Sequence, residues 1–475
     1  MTGIMARSSS NVMLPYRPLR SFLESAPAAR LPHRWRATLA HKLLRQPRVD
    51  RVVVPGEDGR RGASHRAVLV AFGDLAFVRR DGMPALHASQ LDALRNAVGA
   101  EALLTANFEA PIATPEDVRA GSFGSFLHTV DNVDELLARL PDSVLTVANN
   151  HALDYGVPAF ERTVSTLAAH DVATVGQSGQ APVIIERNGV TMAFLGACDD
   201  VRLPSEQPSP VALIDDRELE ASIRLQRARG YVVVLHLHWG FEWSCVPPRS
   251  YRDRARAFSA AGAQVVLCHH AHVPLGVERT PFGVIAHGLG NGFFPFASAP
   301  QHPLRDSVQY LRIGIDATGV VSVDVDFLQF EQAAGLRTPT SGVAHRWYAL
   351  QNLANTALSD SARLERAEWQ RVSSAVRSVG HWCRVALNER QDVEAALAEA
   401  QRLLHVPLRR NLPSRMDELG LKSLANAMAT FRDTTAHGQA LRAAAEGLLS
   451  TLNEHPTRRR LAAAFDTGTL IGWLP

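Results

Sequence analysis

A chain of 475 residues, 46% hydrophobic and 20% charged, can bury a sizeable core in two or three domains; that excludes a disordered or fibrous protein. Its 50 basic and 47 acidic residues leave a formal charge of only +3, which excludes a nucleic-acid-binding composition. Cys198, Cys245, Cys268 and Cys383 lie far apart with no CxxC pair, which argues against a disulfide framework or a zinc finger and points to a reducing, cytoplasmic compartment. No apolar run approaches the roughly 18 residues of a membrane helix, and the Arg-rich start lacks the apolar region of a secretory signal.

Residues 1–66 read as an accessory extension rich in arginine (Arg17, Arg20, Arg30, Arg34, Arg36, Arg45, Arg48), ending in a flexible linker, GEDGRRGAS, at 56–64. From 67 to about 330, apolar β-type runs alternate with helical stretches. The runs are 67–72, 102–106, 144–148, 190–195, 231–235, 264–268 and 284–286; Phe160–Ala169 and Arg249–Ala261 have helical period. This pattern predicts a layered α/β domain with buried strands. Runs at 309–315 and 320–327, joined by Asp316-Ala-Thr-Gly319, predict a closing β-hairpin. Beyond about 340, strand signals stop and Ala, Leu, Arg and Glu dominate. A helical C-terminal domain over 340–475 is expected, with Trp347, Trp369 and Trp382 in its core and its helices available for a protein partner or self-association.

Five polar clusters follow the apolar runs. Gly73-Asp74 ends the first, a carboxylate at a strand end that suits a metal ligand but equally describes a turn. Asn107 and Glu109, two apart in NFEAP, point to one side of extended backbone; turn residues before a proline are an equal reading. NNHALDYG places Asn149, Asn150, His151 and Asp154 beside a buried strand, which is costly without a task. HLHWGFE sets His236 and His238 on one strand face, with Glu242 nearby. CHHAHV repeats the alternate spacing at His270 and His272, and Asn291 follows another strand. Oxygen and imidazole donors gathered at strand ends suit one or two divalent ions, with Mn, Fe or Zn expected, and a centre that acidifies water and clamps an anionic or carbonyl group.

In their order, GDLAF, NFEAPI, ANNHALDYG, HLHWGFEW, CHHAHV and HGLGN resemble the CapA family of poly-γ-glutamate and capsule biosynthesis proteins, within the calcineurin-like metallophosphoesterase superfamily. The resemblance spans about 67–330 and implies a four-layer α/β/β/α sandwich. It implies Asp74 on a first metal, Glu109 as bridging carboxylate, and Asn150 on a second. His238 is implied as a ligand, with His236 the competing choice, and His270 and His272 complete the spheres. Asn150, His151 and Asp154 form the implied catalytic group, with His151 as acid; Asn107, His236, Glu242 and Asn291 line the substrate side. The superfamily's Asp-x-His opening is here Asp74-Leu75-Ala76, so one usual histidine ligand is absent. The function so implied is hydrolysis of a phosphoester or a peptide-like, polyglutamate-type amide, with metal-bound hydroxide as nucleophile. Epimerisation of a peptide at the same site and a non-catalytic scaffold in polymer biosynthesis are the alternatives.

Overall fold

The computed structural model describes residues 51–364, apart from segments 56–64, 80–84, 118–127, 200–208, 241–245 and 296–303 and a few isolated positions. Among the described residues the first strands are β1 (Ala67–Leu75), β2 (Val78–Arg79), β3 (Leu103–Phe108), β4 (His128–Thr129), β5 (Ser143–Thr146), β6 (Ala173–Val175), β7 (Val183–Arg187) and β8 (Val190–Cys198). They continue with β9 (Val232–His238), β10 (Ala263–His269), β11 (Val277–Thr280), β12 (Gly283–Ala286), β13 (Asn291–Phe293), β14 (Ser307–Asp316), β15 (Gly319–Glu331) and β16 (Gly335–Arg337). The α-helices are α1 (Asp92–Val98), α2 (Val133–Leu137), α3 (Gly156–Ala169), α4 (Asp216–Ala228), α5 (Arg249–Ala261) and α6 (Ser341–Ala357).

Two sheets carry the domain. One runs β16-β15-β14-β1-β3-β5-β6 with β13 beside β1, the other β11-β12-β10-β9-β8-β7; β2 and β4 pair separately. The central strands β1, β3, β5 and β6 are parallel, as are β8, β9, β10 and β12. Strands such as β9 (VVVLHLH) are buried throughout because both faces are covered, and near-continuous valine and leucine is what a doubly covered parallel strand needs.

Alternation along each strand sorts its residues into different cores. Leu69, Leu103, Val144, Val232, Val234, Val265 and Leu267 meet between the sheets. Val70, Leu104 and Leu145 face outward onto Leu94, Leu136 and Phe160 of α1, α2 and α3. Val233, Leu235 and Val266 face the other way onto Ile223 of α4 and Phe258 of α5. The architecture is therefore a four-layer α/β/β/α sandwich.

The expected hairpin is β14–β15, where Asp316 Oδ1 accepts from Thr318 N (2.7 Å) and Gly319 N (3.2 Å) to close the turn. α6 begins where strand signals stop, but it belongs to the sandwich. Trp347, expected in a separate helical core, lies in the inter-sheet core with its ring 5.7 Å from that of Phe327. Burial against an existing sheet removes more apolar surface than a lone helix could. Trp369, Trp382, residues 365–475 and the N-terminal arginines fall outside the described residues.

Candidate metal centre

The inter-sheet layer turns from apolar to polar toward the C-terminal ends of its strands. On β9, Val232 and Val234 are followed on the same face by His236 and His238; on β10, Val265 and Leu267 are followed by His269; on β3, Leu103 is followed by Thr105 and Asn107. Simple alternation along β1 would put Gly73 in this row and turn Asp74 outward. A bulge prevents that: Ala71 pairs with Thr105 but Asp74 pairs with Asn107, so three residues span the place of two and Asp74 faces inward. Glycine is required at 73, because a Cβ there would stand 1.8 Å from Gly290 O, the oxygen that accepts from Asp74 N at 2.9 Å.

Asp74, Asn107, Glu109, Asn149, Asp154 and His236 are all 0% exposed. Asn107 Nδ2 donates to Asp74 Oδ1 at 2.9 Å and reaches Glu109 Oε2 at 3.5 Å and His238 Nδ1 at 3.2 Å. Asn149 braces Asn107 in turn, donating to its Oδ1 (3.2 Å) and to Phe108 O (2.8 Å). Asn150 Oδ1 lies 2.9 Å from His238 Nε2. Two sets of donor atoms emerge, each within 4.8 Å: Asp74, Glu109 and His272, and Glu109, His238 and His270. Glu109 is common to both.

His270 and His272 have φ of 83° and 55°, left-handed conformations that cost an L-residue about 1–2 kcal/mol each. Of four non-glycine residues with positive φ among the described residues, these two fall on members of the triads, in the turn that follows β10. His272 Nδ1 meets Asn291 Oδ1 at 3.0 Å, which leaves Nε2, 3.6 Å from Glu109 Oε1, turned to the cluster. Asn291 thus stands behind His272.

His236 and His269 form a second, deeper layer. Their rings stack at 5.3 Å, with His236 Nδ1 3.0 Å from His269 Nε2; Thr105 Oγ1 contacts His236 Nε2 at 2.8 Å. His269 Nδ1 lies 3.3 Å from Asp74 Oδ1. His236 is therefore enclosed, 33 residues from its imidazole partner. The sequence offers His269 only as one of the three histidines of CHHAHV and gives no sign of Thr105; alternation after Val265 and Leu267 is the signal that points His269 inward. Glu242 lies outside the described residues.

Burial would raise the Asp74 carboxyl, but the rings of His269 and His272, each 3.3 Å from one of its oxygens, outweigh it and hold it well below the usual carboxylate range. Burial, reinforced by His269, pushes His236 well below the ordinary imidazole value; burial and His270 do the same at His238. A neutral imidazole keeps the lone pair a metal needs. The fit to a cation has a second sign: Asp74 Oδ2 is buried without a hydrogen-bond partner. Buried carboxylate, amide oxygen and neutral imidazole form a donor set for a divalent first-row ion. The position of the absent histidine, Ala76, is filled by packing among Val78, Ala110 and Phe294.

Beside the cluster, His151 Nδ1 and Asp154 Oδ2 are 2.7 Å apart, and His151 N donates to Asn149 Oδ1 at 3.1 Å. Asp154 accepts from the Nδ1–H and so sets the tautomer, presenting Nε2 of a ring that is 14% exposed.

Two facing sheets with a histidine–carboxylate cluster at the shared C-terminal edge define a metallophosphoesterase-like domain. Residues 68–295 match the family described as bacterial capsule synthesis protein PGA_cap. The domain over residues 68–295 belongs to this CapA family. Over 197 residues it is 31% identical to the PGA biosynthesis protein CapA of Bacillus subtilis (strain 168), covering 40% of this chain and 52% of that protein. Over 164 residues it is 29% identical to the capsule biosynthesis protein CapA of Bacillus anthracis, covering 32% and 40%. A probable polyglutamine synthesis accessory protein of Mycobacterium tuberculosis is 25% identical over 186 residues, covering 34% and 47%. The chain thus spans about half, or less, of the length of these relatives. Among solved structures, the calcineurin-like phosphoesterase YfkN of Bacillus subtilis superposes at a TM-score of 0.35 with 12% identity over 63% of this chain and 100% of that one. The 5'-nucleotidase of Candida albicans SC5314 superposes at 0.36 with 12% identity over 64% and 58%.

Proposed function

We propose that the chain is a metal-dependent hydrolase of a phosphoester or of a peptide-like, polyglutamate-type amide. The observation that carries this is the pair of donor triads sharing Glu109 with the His151–Asp154 dyad beside them. In this reading Asp74, Glu109 and His272 hold one divalent ion, and Glu109, Asn150, His238 and His270 hold another. Bound there, Mn, Fe or Zn supplies Lewis acidity, lowering the pKa of water and offsetting charge on an anionic group. Asn107 and Asn149 keep the carboxylates apart and oriented. His151 Nε2, with Asp154 fixing the other nitrogen, delivers a proton to the leaving group. The relatives' names, which refer to PGA and capsule biosynthesis and to polyglutamine synthesis, favour a polyamide substrate.

Among the described residues no helix is long and apolar enough to cross a membrane. Cys198 and Cys268 are buried and unbridged, which supports a cytoplasmic setting in this reading.

The test is turnover of bis-(p-nitrophenyl) phosphate and of poly-γ-glutamate by chain loaded with Mn, Fe or Zn, beside His151→Ala. Hydrolysis of either substrate that falls about 100-fold or more in His151→Ala with metal content kept would support the assignment. Stoichiometric metal with no turnover of any phosphoester or polyamide would replace it with an accessory, non-catalytic role.

A further inference from the structure

The family match ends at residue 295, yet a helix outside it packs against the stretch that follows a ligand loop, and a strap outside it packs on that helix. α6 lies along the stretch that follows His272. Gln351 Nε2 donates to Leu275 O, and Asn355 Oδ1 accepts from Val277 N at 2.7 Å. Between them, Gly276 leaves no room for a side chain: a Cβ would lie 2.5 Å from Leu358 Cδ1 and 3.1 Å from Ala354 O. Gln351 and Asn355 are 1% and 2% exposed and bonded to each other at 3.0 Å, so water cannot replace their bonds to the loop. An extended strap, Arg51–Pro55, closes the far side. Val52 and Val54 sink into the inter-sheet core. Val53 N donates to Asn352 Oδ1 (2.6 Å), Asn355 Nδ2 donates to Val53 O (2.8 Å), and Arg279 N donates to Pro55 O (3.0 Å).

A bonded route runs from this contact to the ligands. Leu275 N donates to Gly288 O at 2.9 Å; two residues on, Gly290 O accepts from Asp74 N, and Asn291 Oδ1 meets His272 Nδ1. Elsewhere on the helix Ala354 and Ala357 pack with Val246, in the loop that follows His238. One helix therefore touches the stretches that follow both histidine-bearing strands of the second sheet.

We propose that α6 and the strap are the positioning clamp of the metal centre, with Gln351 and Asn355 holding the His270–His272 turn and, through Gly288–Asn291, Asp74 in ligating geometry. This rests on the metal-centre reading above. Two left-handed histidines in one turn persist only where surrounding structure over-determines them, and the helix bonds the stretch directly after that turn, at Leu275 and Val277. Ligand loops left to themselves would relax toward ordinary backbone and spread the donors.

The test pairs hydrogen–deuterium exchange of the metal-free full chain with Mn2+ titration, in wild type, Gln351→Met and a control, Arg224→Ala, on the exposed face of α4. In Gln351→Met the peptides spanning 270–277 and 287–291 should exchange about tenfold faster or more, with β9 unchanged, and Mn2+ affinity should fall about 10–100-fold, as for other outer-shell partners of metal ligands. Exchange in 270–277 at the wild-type rate, or faster exchange with unaltered Mn2+ affinity, would overturn the clamp. Should Gln351→Met not fold, Leu358→Ala, which removes the side chain lying over Gly276, carries the same expectations. Wild type that takes up no Mn2+ would sink the metal reading while the exchange rates still decide the clamp.

Discussion

Glu109→Gln separates a metal centre from a merely buried polar cluster, because its effect on stability should change sign with metal. Glu109 and Asp74 are both 0% exposed, share the Asn107 amide as donor, and place ligand oxygens within 4.8 Å of each other. At that separation and an effective dielectric of about 20, two negative charges repel by about 3 kcal/mol. His269 and His272 lie beside Asp74 and offset part of this, so replacing Glu109 by its neutral isostere should stabilise the metal-free protein by about 1–3 kcal/mol. For a domain of this size that is a rise in Tm of about 2–10 °C. With Mn2+ the order reverses. Wild type at a concentration 100 times Kd gains about 2.7 kcal/mol, whereas the variant has lost the carboxylate common to both triads and gains little. Calorimetry of both proteins in EDTA and across a Mn2+ series should show the melting temperatures cross. A variant no more stable than wild type in EDTA, with an undiminished Mn2+ shift, would refute the reasoning.

Two further outcomes follow from the same packing. Glu278 is held by Arg256 (2.8 and 2.6 Å) and His287 (2.9 Å); burial pushes its carboxyl up from 4.5, but these partners outweigh it and bring it down to about 2. A depressed folded pKa stabilises fully above 4.5 and is lost as pH falls toward about 2. Glu278→Gln should therefore cost about 1–3 kcal/mol at pH 7 and progressively less below pH 4.5, read as urea midpoints; a cost independent of pH would contradict it. Gly73→Ala drives a Cβ to 1.8 Å from Gly290 O and should cost about 3 kcal/mol and strip metal from the purified protein. Gly342→Ala, with nothing within 4 Å of its Cβ, should stay within about 0.5 kcal/mol of wild type. Equal effects at the two glycines, in thermal melts with elemental analysis, would remove the case for the bulge.

Much of the fold was legible in local pattern. The runs at 231–235 and 264–268 mark β9 and β10, Arg249–Ala261 is α5 as its period predicts, and Asp316–Gly319 closes the expected hairpin. β7 was not legible because it is a half-exposed edge whose residues alternate between intermediate and exposed, and β13 is three residues that hold together only by pairing with β1. Trp347 sits in a stretch of helical composition and gives no local sign that its ring will fill the gap between two sheets.

The site divides along the same line. Alternation within one strand determines that His236 and His238 share a face, and that Asn107 and Glu109 lie two apart, because side-chain direction depends only on neighbouring backbone. Whether Asp74 faces inward depends on a bulge held by Gly290, more than 200 residues away in sequence. The sharing of Glu109 by two triads needs β1 and β3 from one sheet to meet β9 and β10 from the other. So does the pairing of His269 with Asp74. Those relations are set by how two apolar faces stack and in what register, and that is a property of the packed core, not of any single segment of chain.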